Sequence, residues 1–227
     1  MEDDIMNKKK VLIAAFVLAL VLSIGGVLAY FSDSETKTNT FTVGKVRIEL
    51  NETAWDATGQ AAAGSVLPNQ MIDKNPTIKN TGNNAAYVFI KVSIPKANVT
   101  IEAQDGSGST TSPQQLFTLI NSSNAAGINS GWELVSSDTT GANTNEYIYS
   151  YSSGGTMTPL ATGATTTNPL FNKIQFVNAQ EGWGIEGQNY NVVVTGYAIQ
   201  TENLTADNVT GNTAVWNVLN ANAVHKQ

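Results

Sequence analysis

From residue 86 to residue 94 the chain alternates with a period of two. Ala86, Val88, Ile90, Val92 and Ile94 fall on one side, and Tyr87, Phe89, Lys91 and Ser93 on the other. Such a period places successive side chains on opposite faces of a strand. Pro95 is expected to end that strand, because it lacks the N–H that a ladder uses. Val46, Ile48 and Leu50 alternate with Lys45, Arg47 and Glu49 in a shorter run of the same kind. Residues 71–79 read as extended, with a bend or an edge at Pro76. Residues 147–151, 173–177 and 190–200 are further β-rich runs. In the last, Val192, Val194, Gly196 and Ala198 oppose Val193, Thr195, Tyr197 and Ile199. Apolar residues on both sides are the pattern of a central strand.

Helical signals are fewer. Ser112 is a suitable N-cap and Pro113 a suitable first residue for a short helix over 116–120. Thr213 is placed to cap a C-terminal helix over 214–223. Asn80-Thr81-Gly82-Asn83-Asn84 is turn chemistry ahead of the long strand. Residues 105–111, 152–155 and 162–167 are rich in Gly, Ser and Thr and read as loops. Many short strands and few helices predict an all-β fold, a jelly-roll-like antiparallel β-sandwich with short helical insertions and a C-terminal helix.

The N-terminus has a different pattern. Lys8, Lys9 and Lys10 precede an apolar run over 11–24 in which Ser23 is the polar exception. These 14 residues fall short of the about 20 needed to cross a bilayer. Val27 and Ala29 then occupy the −3 and −1 positions of a signal peptidase site, with the cut between Ala29 and Tyr30. The expected organisation is a signal peptide over 1–29, a leader or donor strand over 30–42, and a sandwich domain over 43–227. A retained N-terminal anchor is the alternative to cleavage.

Composition narrows the function classes. Charged residues are 13% of the chain, which instead carries 26 Thr and 25 Asn. The net charge is −6, without the basic footprint that nucleic-acid binding needs. Cys is absent, which removes thiol catalysis, disulfides and cysteine-ligated zinc. The one His is His225, near the C-terminus. These features suit a secreted protein of the cell surface or extracellular matrix.

Four segments together carry a resemblance. They are Gly25-Gly26-Val27-Leu28-Ala29-Tyr30-Phe31-Ser32-Asp33-Ser34-Glu35-Thr36, then Asn39-Thr40-Phe41-Thr42-Val43-Gly44-Lys45-Val46. The third is Leu67-Pro68-Asn69-Gln70 with Lys79-Asn80-Thr81-Gly82 and Ala85-Ala86-Tyr87-Val88; the fourth is residues 193–200. The chain resembles the TasA/camelysin family of exported proteins with SipW-type signal peptides. Residues 100–170 show no matching motif. The resemblance implies secretion through a dedicated signal peptidase, a jelly-roll-like sandwich, and assembly with other copies or homologous subunits into biofilm matrix fibres. It also implies donor-strand complementation, in which the mature N-terminus completes the sheet of the next subunit. Tyr30, Phe31 and Phe41 are the candidate pocket-filling residues of that strand, although residues 32–39 are polar throughout. A flexible leader, or the chain's own first strand, is the other reading of this segment. The apolar stretches 88–92 and 192–198 are the candidate acceptors.

Some members of the family are labelled metallopeptidases. Zinc hydrolysis uses about three protein ligands and usually a general base, and this chain has no His-Glu-x-x-His motif. No catalytic residue, metal ligand or cofactor is therefore assigned, and the chain is not read as an enzyme. Glu181 and Glu186 flank Trp183, a spacing that reads as a turn around a packed ring rather than a glycosidase pair. Trp55, Trp132, Trp183 and Trp216 could form a sugar-stacking platform only if the fold gathered them. A structural fibre subunit is the favoured function. A camelysin-type extracellular metallopeptidase and a monomeric adhesin for glycans or host protein are the alternatives.

Overall fold

The computed structural model describes residues 45–102, 108–180, 185–202, 204 and 209–223. The chain divides into two units, Met1–Val43 and Gly44–Gln227. The first lies outside the described residues, as do the expected cleavage site at Ala29 and Tyr30 and the donor candidates Tyr30, Phe31 and Phe41.

The second unit is an all-β antiparallel sandwich. Its strands are β1 (Ile48–Asn51), β2 (Met71–Asp73), β3 (Thr77–Asn80), β4 (Ala86–Glu102), β5 (Ser109–Gln115) and β6 (Phe117–Ile120). They continue with β7 (Trp132–Asp138), β8 (Thr144–Ser153), β9 (Thr156–Met157), β10 (Lys173–Phe176) and β11 (Val193–Gln200). The largest sheet has the order β11-β4-β8-β7, with β5 added to the far half of β4 and β9 to β8. Two smaller sheets, β1-β3 and β2-β10-β6, contribute Ile78, Ile72, Leu119 and Ile174 to the main core. A π-helical turn (Trp55–Gly59) leads into a short helix, α1 (Gln60–Ala62); a longer helix, α2 (Asn212–Ala223), closes the described chain.

The alternation along β4 divides two cores. Val88, Ile90, Val92 and Ile94 enter the main core against the smaller sheets. Tyr87 and Phe89 point the other way, into a second cluster with Ile148, Met157, Val215 and Trp216. Phe89 and Trp216 pack 5.3 Å apart, and Tyr197 meets Trp216 edge-on at 5.7 Å. The expected C-terminal helix is thus present and covers the outer face of the large sheet. It begins earlier than Thr213, which lies inside it: the Val215 N–H donates to the Gly211 carbonyl at 2.9 Å.

The predicted turn at 80–84 forms around a buried Asn80. Its amide donates to the Asn84 and Leu160 carbonyls, both at 2.9 Å, and its Oδ1 accepts from the Gly82 N–H at 2.9 Å. Gly82 is required there by close approach, because a Cβ would run into the Lys45 carbonyl oxygen.

Three expectations are corrected. Pro95 does not end β4, which continues to Glu102. In an antiparallel ladder alternate residues direct their N–H and C=O to opposite edges. Thr201 N donates to Ala85 O, and Leu116 N donates to Pro95 O. The odd-numbered edge of β4 therefore serves β11 up to Ser93 and β5 from Lys96 onward. Pro95 stands at this handover, where its carbonyl has a partner and no strand requires its N–H.

Residues 112–120 are not helical but form β5, a bend at Leu116, and β6. Pro113 faces Asn98 in a register that turns its nitrogen to the outer edge of β5, where proline is tolerated in a strand. The same pairing converts residues 109–111, expected as loop, into the start of β5.

Finally, β11 is not central. It lies at the end of the large sheet.

Candidate functional site

The outer edge of β11 follows from its register. Thr195, Tyr197 and Ile199 pair with Lys91, Phe89 and Tyr87. The Thr201 N–H bond to Ala85 O fixes these odd-numbered residues as the hydrogen-bonded pairs. Val194, Gly196, Ala198 and Gln200 therefore direct both backbone groups away from β4. Among the described residues no strand pairs with that edge.

Both faces of β11 are nonetheless covered. Val194 and Ala198 pack on the main core, and Tyr197 and Ile199 lie against the cluster under α2. Gly196 leaves space for Ile48 and Ile78, whose Cδ1 atoms would stand 3.2 and 3.5 Å from a Cβ at this position. This covering explains why the strand is apolar on both sides without being central.

An edge with unpaired donors and acceptors is a template for another strand, and proteins commonly blunt it with charge, proline or a bulge. The edge strand β7, at the other end of the sheet, carries such devices. Its register shifts between Leu134 and Ser136, and it contains Glu133 and Asp138. Hydrogen bonds from the Thr140 hydroxyl and N–H hold the Asp138 carboxyl below its ordinary range. Residues 193–200 of β11 contain no charge, proline or bulge. In Val88–Val92, the other candidate acceptor, β11 pairs with all five residues and β8 with Phe89–Val92, and it is corrected on that ground.

Glu133 also helps keep α2 in place. Its Oε2 accepts from Ser152 Oγ at 2.6 Å, Gly155 N–H at 3.0 Å and Asn212 Nδ2 at 3.2 Å. The Ser152 bond is the chief cause of a lowered carboxyl pKa, opposed in part by desolvation. One carboxylate thus joins β7, the β8–β9 turn and the start of α2.

A second feature is a groove of about 850 Å³. It lies between the Trp55–Gly59 turn, the loop over 63–68, the Phe117–Phe176 pair and the loop over 185–191. The four tryptophans are not gathered into a platform. Trp55 lines this groove. Trp132 is buried, its indole N–H donating to the Asn168 carbonyl at 3.0 Å, and Trp216, on α2, packs against the large sheet. Trp183 and Glu181 lie outside the described residues.

Comparison with known proteins places the chain in a family. The family model described as camelysin metallo-endopeptidase matches residues 4–203. The chain belongs to the camelysin family. No curated protein and no solved structure matches it.

Camelysin is named for metal-dependent peptide hydrolysis, so the donor set is a direct test of fit. Among the described residues no group of three or more His, Cys, Asp or Glu side chains could hold a metal ion. His225 lies outside them, and the chain has no Cys. Three of the described acids have other partners, Glu133 as a clasp, Glu52 in an ion pair with Lys74 and Glu146 in one with Lys91. These residues do not fit the metal that the family description implies, and no hydrolytic step is derived.

Sequence reasoning named the β11 stretch as an acceptor but missed the groove. Tyr190, Gln188 and Phe176 carry no local motif, and they meet Trp55 only through the fold.

Proposed function

We propose that this camelysin-family chain is an exported structural subunit that assembles with other copies into matrix or cell-surface fibres. In this reading signal peptidase cuts between Ala29 and Tyr30. Residues 30–42 of one copy then add as a strand to the outer edge of β11 in the next. The observation that carries the reading is the edge itself: four residues directing paired backbone groups outward, on a strand without charge or proline.

Strand addition draws affinity from main-chain hydrogen bonds and specificity from alternate side chains. Main-chain pairing tolerates the polar stretch 32–39, while Tyr30, Phe31 and Phe41 supply apolar anchors. A 13-residue segment (residues 30–42) extends about 43 Å. The eight residues of β11 span about 27 Å. The segment is therefore long enough to cover the edge and leave a short connection. Export before cleavage would delay assembly until the subunit is outside the cell.

The test compares the mature chain beginning at Tyr30 with one beginning at Val43. The longer chain is expected to form ordered fibres by electron microscopy and light scattering. The shorter one is expected to remain monomeric with unchanged near-ultraviolet circular dichroism. Equal assembly by both, or by neither, contradicts the proposal.

A further inference from the structure

We propose that the groove beside Trp55 binds neutral, hydroxyl-rich oligosaccharides, an activity separate from fibre assembly. The argument begins with its lining. Four aromatic residues contribute, Trp55, Phe117, Phe176 and Tyr190. Phe117 and Phe176 pack at 5.4 Å between centroids and form a buried floor, while Trp55 and Tyr190 retain partial exposure. Five amide side chains surround them: Gln60, Gln180, Gln188, Asn189 and Asn191.

This mixture matches the two surfaces of a sugar. The C–H faces of a pyranose rest on aromatic rings, which offer large apolar area with few torsions to freeze. Its hydroxyls both donate and accept hydrogen bonds, and so does a carboxamide. An apolar peptide would offer no hydrogen bond to the exposed amides of Gln60, Gln188, Asn189 and Asn191, which is costly on desolvation. The described lining contains the acid Glu186 and no Lys, Arg or His. That balance favours a neutral glycan over an anionic polymer. The volume of about 850 Å³ is at the upper end of small-molecule pockets.

Trp55 is positioned before any ligand arrives. The Lys74 ammonium sits 4.7 Å from its ring centroid and is paired with Glu52 Oε2 at 2.8 Å. Gly59 seats the turn on β2 so closely that a Cβ would collide with the Asp73 carbonyl oxygen. Holding a ring in its binding orientation lowers the ordering cost of association. Leu67, 62% exposed at the groove, adds apolar surface accessible to a ligand.

The test is calorimetric titration of the mature chain with cellohexaose, chitohexaose and hexagalacturonate. A synthetic peptide of residues 30–42 serves as a competitor. At least one neutral hexamer is expected to bind saturably, and hexagalacturonate about tenfold more weakly or not at all. Trp55→Ala and Tyr190→Ala are each expected to weaken binding by about tenfold. Tyr190 lies in a loop but packs in part against the main core, so thermal unfolding of both variants is measured alongside, and Gln188→Ala, at an exposed lining residue, is expected to weaken binding with the parent's unfolding kept. Both variants should still form fibres, which separates this site from the β11 edge. The proposal is overturned if neither neutral hexamer binds at about 10 mM. It is equally overturned if Tyr190→Ala binds as well as the parent, or if hexagalacturonate binds as tightly as the neutral hexamers. Displacement of a bound hexamer by the peptide would make the groove a strand acceptor and also overturn it.

Discussion

Ala198→Pro is expected to stop fibre formation while leaving the monomer's stability within about 1 kcal/mol of the parent. The ladder with β4 uses the backbone groups of Thr195, Tyr197 and Ile199, so the Ala198 N–H faces the open edge. Proline at 198 removes a donor that the folded monomer does not use but an incoming strand would need. The fold already tolerates this parity at Pro113, whose nitrogen faces away from β4. Thr195→Pro is the internal comparison. It removes a ladder hydrogen bond to Lys91 and is expected to cost about 2 kcal/mol or more. Urea unfolding measures stability in both variants, and light scattering measures assembly. Fibres from Ala198→Pro at the parent's rate would place the contact elsewhere.

Lys74→Met is expected to destabilise the fold by about 3–5 kcal/mol. The Lys74 side chain is only 6% exposed and Glu52 19%, with a 2.8 Å contact between them. Glu52 Oε1 is buried without a hydrogen-bond partner, so the ion pair is its carboxylate's main compensation. Removing the ammonium leaves a charge in a poorly solvated place and also removes the cation from the Trp55 ring. The double variant Lys74→Met with Glu52→Leu removes both charges and is expected to recover most of the loss. Urea midpoints of the parent, single and double variants decide the matter. A single-variant loss below about 1 kcal/mol would mean that the pair behaves as a solvated one.

How much of this was legible depends on how far each signal reaches along the chain. The alternation over 86–94 was enough to separate the faces of β4, because the period of two survives any tertiary context. The C-terminal helix was also visible, its buried Val215 and half-buried Trp216 and Leu219 meeting the sheet. Ser112 and Pro113 suit a helix start and an edge strand equally well. Pairing with residues 96–102, a tertiary event, decides between them. Pro95 misled for the same reason, since its tolerance depends on which neighbour occupies that edge. Apolarity on both faces of β11 suggested a central strand. A helix packed over the outer face produces the same pattern at an edge. The groove draws on four separated stretches, and no local spacing could have announced it. The two chain stretches expected to supply the signal and the donor strand fall outside the described residues, so their roles rest on the sequence and the proposed assembly.

The most direct measurement of strand addition is residue-resolved amide exchange on fibres dissolved under quench conditions, compared with the unassembled subunit. The Val194, Gly196, Ala198 and Gln200 amides should exchange readily in the monomer and become strongly protected in fibres. Thr195, Tyr197 and Ile199 should be protected in both. Fibres in which the four outward amides still exchange as in the monomer would contradict assembly through this edge.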